Sequence, residues 1–96
     1  MRYILTVKPE AELDIMESSK WYEEQRSELG HHFLDAVNEK ISLIEKNPLH
    51  YQERYKQTRF ALLKGFPYAI HFKLEEGHIY VIAVLSTYRN PQIWKG

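Results

Sequence analysis

The chain contains no cysteine among its 96 residues. This absence excludes disulfide bonds, thiolate metal sites and a cysteine nucleophile, so packing alone must hold the fold together. A chain of this length forms a single compact domain, and we predict one domain over residues 1–96. The apolar fraction of 44% is ample for a hydrophobic core, which argues against a disordered chain.

Long hydrophobic runs are also missing. The longest one lies around residues 81–85 and is far shorter than the roughly 20 residues that a membrane span needs. The apolar stretch near the first residue is too short for a signal peptide. We therefore predict a cytoplasmic protein with no membrane contact.

Charge of one sign is not in excess, because the formal net charge is zero. The two halves nevertheless differ: residues 1–48 carry 6 Lys/Arg against 10 Asp/Glu, and residues 49–96 carry 7 against 3. A mildly basic second half permits an anionic ligand there. The neutral total argues against avid, non-specific binding of nucleic acid.

The familiar motifs of catalysis and cofactor binding are absent as well. The sequence has no phosphate loop, dinucleotide fingerprint, nucleophile elbow or paired-carboxylate constellation. His31 and His32 are adjacent and would point in different directions on a helix, and no Cys/His ligand spacing exists. We therefore predict neither a metal site nor a cofactor.

What is present is a pattern of one strand, two helices and three strands. Residues 2–7 alternate as a short strand, and Pro9 opens a helix that should end near Gly30. Phe33, Val37, Ile41 and Ile44 form the apolar stripe of a second helix, which Asn47-Pro48 ends. We expect an antiparallel helical hairpin with its turn at Gly30.

The second half of the chain predicts a sheet. Residues 49–57 are typical of a polar and aromatic loop, whereas 59–63, 68–74 and 79–85 are typical of strands. The last strand is apolar on both faces, so it should be central, with Ile79, Val81, Ala83 and Leu85 pointing one way. The predicted fold is α+β, with the helical hairpin packed on a twisted, mainly antiparallel four-stranded sheet that includes the first strand.

Several segments of the chain resemble the RelE/ParE toxin family of type II toxin–antitoxin systems. The densest match covers residues 59–72, with Arg59, Lys64-Gly65-Phe66-Pro67-Tyr68, Ile70 and Phe72, and then residues 79–84. The ending Thr87, Arg89, Pro91 and Trp94 resembles the ParE-like branch, as do Trp21-Tyr22-Glu23 and the segment 47–51. The resemblance spans nearly the whole chain.

The resemblance implies a toxin that a cognate antitoxin protein neutralises, in a hetero-oligomer. For a ParE-like member it implies a protein-binding inhibitor of DNA gyrase, without catalysis of its own. For a RelE-like member it implies a metal-independent endoribonuclease that cuts mRNA on the ribosome. In that case Arg59 and Arg89 would stabilise the transition state and Tyr88 or Lys64 would move a proton.

The neutral total charge and the ParE-like ending favour the gyrase-type inhibitor. Ser86 points the same way, since many relatives have a histidine directly after the last strand.

Each candidate residue also has a structural interpretation. Arg59 and Arg89 could share one rim of the sheet, or pair with a helix carboxylate such as Glu23 or Glu24. Tyr88 could cover the sheet edge, and Lys64 could be a solvated turn lysine. His71 could act as an acid or base, although an ordinary sheet histidine is the simpler interpretation. Trp21, Tyr22 and Trp94 are expected to be packing residues.

Overall fold

The computed structural model describes residues 2–88 of the chain. Its elements, in order, are β1 (Ile4–Val7), α1 (Pro9–Gln25), α2 (Leu29–Lys46), a 3-10 turn (Pro48–His50), β2 (Glu53–Tyr55), β3 (Thr58–Leu62), β4 (Tyr68–Glu75) and β5 (His78–Ser86). Within residues 2–88, neither α-helix is both long enough and apolar enough to cross a membrane.

The strands form one sheet in the order β1-β5-β4-β3-β2. β1 runs parallel to β5, and every other neighbouring pair is antiparallel. The two helices pack against each other, and the core lies between them and the sheet. The predicted α+β fold is therefore confirmed, as is the interior position of the last strand, which lies between β1 and β4.

The sheet has five strands, so the prediction of four was wrong. The extra strand is β2, which lies inside the segment predicted to be a loop. All three of its residues are exposed, so no alternation of apolar and polar side chains marks it. The turn that joins β2 to β3 uses Lys56 and Gln57 with φ of 44° and 64°. This conformation is typical of Gly or Asn. Lys56 and Gln57 are neither, so their residue types do not predict a turn.

The turn between the helices also differs from its predicted place. α1 ends at Gln25, and α2 begins at Leu29, so Gly30 lies inside the second helix. The Glu23 carboxylate accepts hydrogen bonds from the backbone N–H groups of Glu28 and Gly30, at 2.9 and 3.0 Å. A carboxylate at a helix N-terminus satisfies free N–H groups and complements the helix dipole. Side-chain capping from α1 thus sets the start of α2.

A β-bulge in β5 changes which of its side chains reach the core. His71 of β4 pairs with Ala83, but Phe72 pairs with Val81, so β5 has one extra residue there. Ile79, Val81 and Val84 are buried as a result, whereas Ala83 and Leu85 are only half-buried. The predicted grouping of Ala83 and Leu85 with Ile79 and Val81 was wrong, because alternation fails across a bulge.

Aromatic rings join both helices to the sheet. Tyr22 of α1 stacks on Phe33 of α2 with ring centroids 5.3 Å apart, and both rings make edge contacts with Phe66 and Tyr68 at 5.0–5.9 Å. Such pairs stabilise by about 0.5–1.5 kcal/mol each beyond the area that they bury. This aromatic cluster of Tyr22, Phe33, Phe66 and Tyr68 closes one end of the core.

Gly30→Ala should destabilise the protein although alanine is the better helix former. A Cβ at this position would lie 2.4 Å from the backbone oxygen of Ser19 and 3.0 Å from the Cβ of Glu23. We expect the free energy of unfolding to fall by about 1–3 kcal/mol, as at other overpacked sites. Thermal unfolding followed by circular dichroism measures it. Asn38→Ala, at an exposed position of α2, is the matched control and should raise Tm slightly; an equal rise for Gly30→Ala would contradict the close approach of the helices.

His71 is a buried histidine in the middle of the sheet. It is 5% exposed, it pairs in register with Phe60 of β3 and Ala83 of β5, and its ring lies 4.2 Å from that of Phe60. Burial lowers the pKa of His71 from 6.5 to about 4. The imidazole is therefore neutral at physiological pH, and His71 behaves as a core residue of the sheet.

This lowered pKa makes stability depend on pH in a defined window. The contribution of neutral His71 is fully present above pH 6.5 and is lost as the pH falls towards 4, because the unfolded chain then binds a proton that the folded chain does not. We expect the free energy of unfolding to fall by roughly 3 kcal/mol between pH 6.5 and pH 4. Urea unfolding at several pH values measures it, with His71→Gln as the reference. Equal pH dependence in both proteins would contradict the burial effect.

Candidate functional site

Arg59 has two partners in the structure and neither is a helix carboxylate. Its guanidinium donates hydrogen bonds to the backbone oxygen of Tyr51 and, at 3.4 Å, to the carboxylate of Glu53. The Arg59 side chain is 16% exposed and the Glu53 side chain 54%, so the ion pair contributes at most about 1 kcal/mol. Arg59 lies in β3, so these bonds hold β3 to the segment that precedes β2. For Arg59 the predicted pairing with Glu23 or Glu24 was wrong, because its guanidinium binds Tyr51 and Glu53 instead.

Tyr88 lies just beyond β5 and is 83% exposed. The chain turns here: Thr87 donates to the backbone oxygen of Pro67 from its N–H at 2.8 Å and from its hydroxyl at 3.2 Å. The hydroxyl of Ser86 accepts a hydrogen bond from the Tyr88 N–H at 3.2 Å. Ser86 and Thr87 therefore hold the turn that presents Tyr88. Arg89, Pro91 and Trp94 lie outside the described residues.

The strand register separates the two ribonuclease candidates that the structure describes. Arg59 pairs with Phe72, which pairs with Val81, whereas Ser86 pairs with Tyr68 at the other end of β5. The row of Arg59 and the row of Ser86 are four residues of β4 apart, about 13 Å along the strands at roughly 3.3 Å per residue. Because β3 and β5 run in the same direction, Arg59, near the start of β3, is displaced along the strands from the end of β5, which leads to Tyr88.

Lys64 follows the end of β3. It is exposed beside Gly65, whose φ of 85° marks a turn. It lines a shallow hollow against α2, together with Asp35, Glu39 and Phe66. Lys64 is thus an exposed turn lysine beside α2. Among residues 2–88, no three His, Asp or Glu side chains come close enough to hold a metal ion.

A concave surface with a volume of about 610 Å³ lies between α1 and the end of β5. We call it the α1–β5 groove. One wall is a helical stripe of α1, and the other is formed by the end of β5 and the start of β4. Its lining residues are Asp14, Glu17, Ser18, Trp21, Tyr22, Pro67, Tyr68, Val84, Leu85, Ser86 and Tyr88.

The chemistry of the α1–β5 groove is aromatic and acidic. Trp21, Tyr22 and Tyr88 supply ring surface, and Asp14 and Glu17 supply carboxylates; its described lining contains no Lys or Arg. Burial, and then the neighbouring hydroxyl of Tyr68, raise the pKa of Tyr22, so this phenol stays neutral and can donate a hydrogen bond. Such a surface suits an apolar or cationic polypeptide segment and repels phosphate.

Sequence reasoning treated Trp21 as a packing residue and did not single out Asp14, Glu17 or Ser18. Trp21 contacts Tyr22 edge to face at 5.0 Å, but it is 53% exposed at the groove. The spacing of Asp14, Glu17, Ser18, Trp21 and Tyr22 places all five on one side of α1. That stripe was visible in the sequence, but only the fold shows which element faces it.

Comparison with known proteins identifies the family. The family model "ParE toxin of type II toxin-antitoxin system, parDE" matches residues 5–91. A solved structure titled "Chromosomal ParDE TA system from P. aeruginosa" superposes with a TM-score of 0.80 at 12% sequence identity, covering 88% of this chain and 96% of that one. At this identity the superposition shows a shared fold. No curated protein matches the sequence. The family match, which spans most of the chain, establishes that the protein belongs to the ParE toxin family of type II toxin–antitoxin systems.

Proposed function

We propose that the protein inhibits bacterial growth by binding an essential protein target, DNA gyrase, and that a cognate antitoxin neutralises it by forming a toxin–antitoxin hetero-oligomer. Both partners would be met in the cytoplasm. Membership of the ParE toxin family supports this proposal most directly.

The placement of the ribonuclease candidates favours binding over RNA cleavage. A ribonuclease of the RelE type needs its cationic and proton-transferring groups around one phosphate. Here Arg59 is engaged with Tyr51 and Glu53, and its row of the sheet is about 13 Å along the strands from the row of Ser86, which precedes Tyr88 by two residues. The last residue of β5 is Ser86, whose hydroxyl accepts a backbone hydrogen bond and has no imidazole-like basicity.

Helix α1 offers the kind of surface that a protein partner can cover. Leu13, Met16 and Trp21 are 55%, 66% and 53% exposed on this helix. Exposed apolar side chains grouped on one element are typical of protein-binding surfaces, with an aromatic residue as the usual anchor. An antitoxin segment that buried them would block access to the target at the same time.

A supercoiling assay with purified components tests the proposal. Relaxed plasmid, ATP and bacterial DNA gyrase are incubated with increasing amounts of the chain, and supercoiled product is measured on gels. We expect supercoiling to fall as the chain is added, with no ribosome or messenger present.

Tyr88→Phe is the matched variant, because it removes only the phenolic hydroxyl of an exposed side chain. Under the proposal it inhibits gyrase as well as the parent chain does. If gyrase is unaffected, and the parent chain instead cuts ribosome-bound messenger while Tyr88→Phe does not, the protein is a ribonuclease and the proposal is wrong. No effect in either assay also contradicts it.

A further inference from the structure

Another concave surface lies at the edge of the sheet that is farthest from β1, where α2 and the 3-10 turn meet β2 and β3. We call it the β2–β3 hollow, and its volume is about 400 Å³. Cationic and polar groups come from Lys40, His50 and Arg54, and apolar walls from Tyr51, Phe60 and Leu62. Its described lining contains no Asp or Glu. The β2–β3 hollow is thus opposite in charge to the α1–β5 groove.

The cations of the hollow are not neutralised by the described part of the chain. Within residues 2–88, no carboxylate forms an ion pair with Lys40, His50 or Arg54. Glu53 precedes Arg54 in the sequence, but its carboxylate binds Arg59. Two cations and an imidazole therefore line a hollow that holds no balancing charge. Such a set of hydrogen-bond donors suits an anionic ligand.

Contacts with the core fix one wall of the hollow. The ring of Tyr51 meets that of Phe72 edge to face at 5.9 Å and the imidazole of His50 at 5.0 Å. The backbone oxygen of Tyr51 accepts a hydrogen bond from the Arg59 guanidinium. Burial raises the pKa of Tyr51, so its hydroxyl stays neutral and can donate a hydrogen bond to an anion. Because this wall is already ordered, a ligand loses less entropy in binding there.

The apolar walls favour a ligand that carries a flat ring beside its charge. Leu62 is 61% exposed, and the half-buried Phe60 lies two residues before it on the same face of β3. At the same edge of the sheet, Tyr55 is 48% exposed and the Lys56 ammonium lies 5.5 Å from its ring centroid. Cations that follow a backbone and rings that stack on bases are typical of proteins that bind single strands of nucleic acid.

The donor set favours DNA over RNA and over an acidic peptide. RNA is distinguished by its 2′-hydroxyl, and the described lining has no carboxylate to accept a hydrogen bond from that group. Lys and Arg side chains are donors only. An acidic peptide would supply negative charge, but it lacks a flat ring in every unit. Single-stranded DNA supplies one charge and one ring per nucleotide.

We propose that the β2–β3 hollow binds single-stranded DNA, with Lys40 and Arg54 on the phosphates and a base against the wall of Phe60 and Leu62. The binding is weak, with a Kd on the order of 10⁻⁵ M, because the net charge of the chain is zero. The inference does not depend on gyrase as the target, because it concerns direct contact between the chain and DNA.

Fluorescence anisotropy of a labelled oligodeoxyuridylate, titrated with the full chain, tests this proposal. An increase in salt from about 50 to about 200 mM should weaken binding roughly tenfold, as expected for two or three phosphate contacts on a single strand. The double variant Lys40→Gln/Arg54→Gln should bind at least about tenfold more weakly than the parent chain at low salt. Its salt dependence should be shallower, because two phosphate contacts are lost.

The matched control is Lys20→Gln/Arg26→Gln, which removes one Lys and one Arg from exposed positions outside the hollow. Both double variants have the same net charge, so a long-range effect of charge alone would weaken their binding equally. We expect the control to bind the oligonucleotide nearly as well as the parent chain does. Circular dichroism verifies that both variants are folded.

Equal affinities of the two double variants would overturn the proposal, and so would a parent chain that does not bind the oligonucleotide. Tighter binding of oligouridylate, which differs from the probe only by its 2′-hydroxyl groups, would assign the hollow to RNA. Stronger competition by polyglutamate than by unlabelled oligodeoxyuridylate would assign it to an acidic polypeptide. Either result contradicts the assignment to DNA. No gyrase is present in this assay, so its outcome is separate from that of the supercoiling assay.

Discussion

The aromatic cluster of Tyr22, Phe33, Phe66 and Tyr68 is the contact on which the rest of the architecture depends. It joins α1, α2, the segment before β4 and β4 itself through ring contacts of 5.0–5.9 Å. Without disulfides to staple it, a domain of this size relies on such dense packing. The cluster fixes the distance between α1 and the end of the sheet, and so it shapes the α1–β5 groove.

Two backbone details then decide where functional groups lie. The bulge in β5 turns the Val84 side chain towards the core. The backbone N–H of Val84 donates a hydrogen bond to the Asp14 carboxylate, and this bond ties α1 to β5. The antiparallel register of β3, β4 and β5 displaces Arg59 along the strands from the end of β5, and so from Tyr88, by about 13 Å. Strand pairing therefore separates two residues that family resemblance had associated, and it leaves the concave surface lined by aromatic and acidic groups.

The sequence predicted the parts of the fold that periodicity marks. The stripe of Phe33, Val37 and Ile44 and the stop at Asn47-Pro48 identified α2, and the alternation in β4 and β5 identified the sheet. β2, the helix turn and the bulge could not be predicted, because they depend on positive φ at Lys56 and Gln57, on capping by Glu23 and on an unpaired residue in β5. The groove was missed because it joins elements far apart in sequence.

We propose that this ParE family member stops growth by acting on DNA gyrase, so that DNA synthesis fails before translation does. Pulse labelling after induction of the chain alone in a bacterial host tests this order of events, with thymidine and methionine incorporation followed separately in the same culture. We expect DNA synthesis to fall first while protein synthesis continues. An early fall in protein synthesis, accompanied by cut messengers, would contradict it.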